Sequence, residues 1–70
     1  MTRIDRDDID RAAILVCNER QRLILHLRYH EDLSLRQIAE RLELHHATVN
    51  YHHDRAIAMI RQHLEGDTAA

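Results

Sequence analysis

Apolar residues recur at helical spacing through most of the chain. Ile9, Ala12, Ala13 and Val16 share one face of a first helix expected over roughly residues 6–16, and the aspartates of its first turn suit the positive end of a helix dipole. Asn18 followed by Gln21 is a capping-box pattern, in which the Asn oxygen accepts an orphan amide and the Gln side chain reaches back. A second helix should therefore run from about Glu19 to His30, burying Ile24, Leu27 and part of Leu23. After the polar break at Glu31 and Asp32, Ser34 and Gln37 repeat the capping box. The third helix starts there and buries Leu35, Ile38, Ala39 and Leu42. Glu43 to His45 make a tight turn, and a longer fourth helix follows from about His46 to Leu64, with Val49, Ala56, Ile57, Ile60 and Leu64 as its core stripe. Gly66 is placed to end it as a left-handed cap.

Composition supports an all-α fold. There is no Pro, one Gly and only two aromatic residues, Tyr29 and Tyr51, so little breaks helices and little could fill a sheet core. Seventy residues allow a single domain, read as residues 1–66 with a disordered C-terminal tail over 67–70. The lone Cys17 excludes an internal disulfide, and no apolar run approaches the roughly 20 residues that span a bilayer. With no signal peptide either, the expected location is the cytoplasm, away from any membrane.

Ten basic residues, all Arg, stand against twelve acids, a formal net charge of −2. Free-standing DNA binders are typically basic, so the total argues against one. The distribution argues the other way: Asp5, Asp7, Asp8 and Asp10 crowd the first ten residues, whereas residues 45–63 hold Arg55, Arg61, five His and the single acid Asp54. The C-terminal half can present a chargeable face despite the sum.

Across the third and fourth helices, Ile38, Ala39 and Leu42 lead through a turn containing Leu44 to Val49. A helix-turn-helix needs this arrangement, because two helices crossing steeply through a turn of roughly 3–4 residues must touch closely, and Ala39 is small enough to allow it. The N-terminal turns of the fourth helix are then free to enter a major groove.

The stretch from Glu19 to His52, ERQRLILHLRYHEDLSLRQIAERLELHHATVNYH, resembles region four of bacterial sigma factors, the domain that reads the upstream promoter element. The matching positions are Glu19 to Arg22, Leu27 to Tyr29, Leu33 and Ser34, Ile38 to Glu40, and Thr48 with Val49; TVNYH is also similar to the recognition helix of LuxR-type domains. The resemblance implies a four-helix, helix-turn-helix DNA-binding domain of the sigma region four type. Three positions depart from the family pattern: Glu43 stands where a turn Gly is usual, His45 where a small hydroxyl caps the recognition helix, and His53 where an apolar core residue is usual. The sigma domain that opens DNA and holds polymerase has no room here, so the expectation is a free-standing regulator and not a working sigma factor.

Position in the recognition helix nominates His45, His46, Ala47, Thr48, Asn50, Tyr51 and His52 for the groove, with Arg55 nearer the phosphates. Asn50, through two hydrogen bonds to adenine, and His46 are the expected base readers. Among candidate phosphate clamps, Arg28, Arg36 and Arg41, Arg36 is best placed, in the first turn of the third helix. His26 and His30 have the i, i+4 spacing of a metal pair, yet zinc needs further converging ligands, and neither metal nor cofactor is expected. No Ser, Cys or carboxylate stands with a His as catalysis requires, so the chain is not read as an enzyme. The expected partner is double-stranded DNA, bound as a homodimer; the small core and the off-stripe residues Ala58 and Met59 favour the dimer. The rival reading is an adaptor that docks on RNA polymerase or an anti-sigma factor without touching DNA, which the acidic total favours.

Overall fold

The computed structural model describes residues 6–68 and contains, among them, four helices and no strand. They are α1 (Arg6–Val16), α2 (Glu19–Tyr29), α3 (Leu35–Leu42) and α4 (His46–Thr68). Each boundary has a local chemical cause. Asn18 Oδ1 accepts the Gln21 amide at 2.8 Å while Gln21 Oε1 accepts the Asn18 amide at 3.0 Å, and this reciprocal pair begins α2. Ser34 and Gln37 close the same box before α3, at 3.1 and 2.8 Å. α2 ends one residue before the expected point, with His30 as its cap and the His30 and Glu31 amides both donating to His26 O.

Among the described residues, positive φ appears at two residues with side chains, Asp32 (φ 58) and Glu43 (φ 57). Glu43 ends α3, and the Leu44 amide then donates to Ala39 O at 2.9 Å, which turns the chain sharply toward α4. This is the position where the family pattern has Gly, and a Cβ there costs roughly 1–2 kcal/mol.

Two clusters form the core. Ala12, Ala13, Cys17, Leu25, Ala56 and Ile60 are buried in the first, where α1, α2 and the middle of α4 meet. Ile24, Leu27, Ile38, Ala39 and Val49 form the second, which holds α2, α3 and the start of α4 together. α4 runs through both and touches all three other helices. Burial pushes the Cys17 thiol above its ordinary pKa, an effect that the Arg22 guanidinium partly offsets.

Three expectations are corrected. α4 does not stop at Leu64: it continues through Gly66, which has no positive φ, to Thr68, so the first two residues of the expected 67–70 tail are helical and the rest lie outside the described residues. Leu25 is buried although it lies off the expected α2 stripe, because α1 covers a second face of that helix. Met59 packs against the first cluster and is not surplus, whereas Ala58 is exposed as expected. Among the described residues, the large apolar side chains left outside are instead Ile14 and Leu15 of α1, at 69% and 70% exposure, with Leu23 and Tyr51. No helix among the described residues is long and apolar enough to cross a membrane.

Candidate nucleic-acid interface

The turn from α3 to α4 positions the nominated residues. Val49 is fully buried beside Ile38 and Ala39, which fixes the rotation of α4 about its axis. With that residue inward, the helical period turns Ala47, Tyr51 and Arg55 outward, and all three are exposed, Tyr51 at 60%. His45 and His46 are exposed at the helix start. Thr48, Asn50 and His52 are half-buried on the flanks, so they reach the surface less freely than the others. Arg36 and Arg41 are exposed on α3; Arg28 is half-buried, its guanidinium carbon 5.5 Å from the Tyr29 ring centroid.

His45 takes over the work of the missing hydroxyl cap. Its Nδ1 accepts the Ala47 amide at 3.1 Å, and its carbonyl accepts from Thr48 and Val49 at 3.0 and 3.2 Å. An unprotonated imidazole nitrogen can thus satisfy one of the orphan donors at the head of the helix. His53 also departs from the family pattern and also finds a role. Its side chain is largely buried, Nε2 lies 3.0 Å from Tyr29 Oη, and Nδ1 lies 3.1 Å from Asp54 Oδ1. Tyr29 and His53 stack with centroids 5.9 Å apart, so a polar contact ties α2 to α4 where an apolar one is usual.

Two features of this face were not foreseen. Asp54, 79% exposed, sets a carboxylate beside Tyr51 and Arg55 on the outer side of α4, and one of its oxygens is bound to His53. The Tyr29–His53 pair is 24 residues apart in sequence, so only the packing of α2 on α4 reveals it. Asn50 Oδ1 and His52 Nδ1 are buried without a hydrogen-bond partner, a cost borne on the side of α4 nominated for recognition.

The histidine pair at the end of α2 is otherwise engaged. His26 and His30 stack at 5.2 Å, but His30 Nε2 contacts both Asp10 oxygens at 3.0 and 2.9 Å while His26 Nε2 sits 3.7 Å from Glu31. Among the described residues no group of three or more His, Cys, Asp or Glu is gathered to hold a metal ion.

No curated protein and no solved structure matches the chain. The family model described as Sigma-70, region 4 matches residues 13–62, from the middle of α1 to the latter part of α4. Domains of that kind bind DNA and RNA polymerase, and the matched span includes the whole helix-turn-helix. The match takes in well over half of the chain on a fold of four helices, and the protein therefore belongs to the Sigma-70, region 4 family.

Proposed function

We propose that the protein is a sequence-specific DNA-binding transcription regulator of the cytoplasm that reads promoter DNA with the first turns of α4. The observation that carries this is the pairing of a fully buried Val49 with an exposed His46, Ala47 and Tyr51. The core holds the helix by one side and leaves a reading surface on the other. Arg36, exposed in the first turn of α3, and Arg55, two turns into α4, are the phosphate contacts of this reading. The activity is binding and not catalysis. A homodimer on two half-sites would give the affinity that one small module lacks. Met59, half-buried against the first cluster, lines a surface cleft with exposed Ala58, Tyr51 and Arg55.

A second reading has its own support. The chain is acidic overall, and Leu23, Leu42 and Leu44 line a surface cleft of about 470 Å³ with Glu19 and Arg20. An adaptor would use such a cleft to hold an apolar segment of RNA polymerase or of an anti-sigma protein. The deciding experiment compares binding to mixed promoter duplexes with capture of RNA polymerase, with sedimentation of the protein alone and on DNA as a check of the dimer. Salt-dependent duplex binding supports the regulator. Polymerase capture with no duplex binding supports the adaptor and removes the regulator.

A further inference from the structure

The outer side of α1 carries the most exposed large apolar residues among those described, and they lie next to each other. With Ala12, Ala13 and Cys17 turned into the core, the helical period brings Asp7, Arg11, Ile14 and Leu15 onto the opposite face, and all four are exposed. Arg22 belongs to the same surface although it lies on α2. Its guanidinium donates to Cys17 O at 3.1 Å, which sets a cation at the C-terminal end of α1, and it shares a surface cleft with Ile14 and Asp10. Between Leu15 and Arg22 the chain turns through Asn18 and the exposed Glu19. From one end to the other, the face thus reads acid, Arg11, an apolar pair, Glu19 and Arg22.

We propose that this face binds the same face of a second copy, the two α1 helices lying antiparallel about a two-fold axis between Ile14 and Leu15. This deepens the regulator reading, on whose homodimer it rests, by naming the interface. In a two-fold contact each residue meets the one that meets it in return, so the pattern must fit its own reverse. It does so here. Ile14 falls opposite Leu15 of the second copy, Arg11 opposite the turn at Asn18 and Glu19, and Asp7 opposite Arg22. Moving the axis to Arg11 would set two guanidiniums together and leave the apolar pair facing charge, so electrostatics selects the first register. An apolar pair alone would suit many partners, whereas this alternation of charge suits its own copy. Two side chains of this size fall short of the roughly 800 Å² that each partner of a stable complex covers, so the dimer is a weak one that DNA completes. α1 meets α4 at Ala56 and Ile60, so the turns around Ala47 are not part of the contact.

Sedimentation velocity of the full chain, from micromolar to millimolar concentration, reads the assembly directly. The parent should pass from monomer to dimer over that range. Ile14→Glu and Leu15→Glu should each weaken the dimer on the order of tenfold or more with helix content unchanged, because both positions are already exposed. Charge reversal separates this arrangement from unspecific clustering. Asp7→Arg and Arg22→Asp should each weaken association alone, and an equimolar mixture should restore it, since every facing pair is then opposite in sign again. A parent that stays monomeric throughout, or a dimer that both glutamate variants leave intact, overturns the inference. A mixture of folded charge variants that associates no better than either alone overturns it as well; if Arg22→Asp fails to fold, the glutamate variants decide. Duplex titration keeps the two readings apart: Leu15→Glu should still bind a single half-site, and a dimeric parent that binds no duplex overturns the DNA-binding reading while the interface stands.

Discussion

Replacing His45 with alanine removes the only side chain seen to cap α4, and the structure allows its cost to be worked out. The bond lost is the Ala47 amide to Nδ1, at 3.1 Å and exposed to solvent. N-cap deletions typically cost about 1 kcal/mol, and a long, solvated bond to imidazole belongs at the lower end, so about 0.5–1 kcal/mol is expected. For a domain of this size that lowers Tm by roughly 2–8 °C. Serine at the same position restores a compact oxygen acceptor and should melt at or above the parent temperature. Thermal melts followed by circular dichroism measure both variants, and hydrogen exchange localises the effect, since Ala47 should exchange faster in His45→Ala while Ile38 keeps its protection. Equal melting of all three proteins, with Ala47 exchange unchanged, would refute the assignment of His45 as the cap.

Glu43→Gly relieves a left-handed backbone at the end of α3 and should stabilise the domain by about 1 kcal/mol in urea melts, with no gain if the turn is not left-handed in solution. Gly66→Ala meets nothing within 4 Å in a helical stretch, so it should add up to about 1 kcal/mol; a loss there would mean that α4 stops earlier. Ala39→Leu should overpack the crossing of α3 on α4 and cost roughly 1–3 kcal/mol, and an unchanged melting temperature would contradict that crossing. Cys17 gives a pH dependence of defined sign. Its pKa is raised in the fold, so its contribution is fully present below the unfolded thiol's pKa of about 8.5 and is lost as pH rises toward the folded value. Between about pH 7.5 and about pH 9.5 the parent should therefore lose more stability than Cys17→Ala, and equal losses would show that the thiol is not buried.

What could be read from the sequence was the chemistry that acts over a few residues. Both capping boxes depend on side chains three positions from the backbone groups they satisfy, so Asn18 with Gln21 and Ser34 with Gln37 announced the starts of α2 and α3. The strained turn was legible through the resemblance alone, since the family pattern has Gly where this chain has Glu43. Gly66 misled because one glycine costs about 1 kcal/mol, too little to end a helix that is already propagating. Met59 and Leu25 were missed because α4 and α2 are each covered from more than one side, and a single apolar stripe underestimates so wide a buried arc. The candidate site was legible as a list of positions and not as an arrangement. That Asn50 Oδ1 is buried without a partner, and that His53 meets Tyr29, depend on neighbours brought in by the tertiary fold.

Because α4 passes unbroken through both core clusters, its far half against α1 and its head, anchored at Val49, belong to one continuous rod. From Ile60 to His46 the axis measures roughly 21 Å, so a tilt of about 5° at the α1 contact would swing the head of the helix by about 2 Å. That exceeds the tolerance of a hydrogen bond to a base edge. On the proposed DNA-binding reading, the packing of Ala12 and Ala13 with Ala56 in the first cluster would therefore help to aim the head of α4. If α4 does meet DNA, volume changes among these alanines would alter how its head is presented, although none of them lies on α4's outer face.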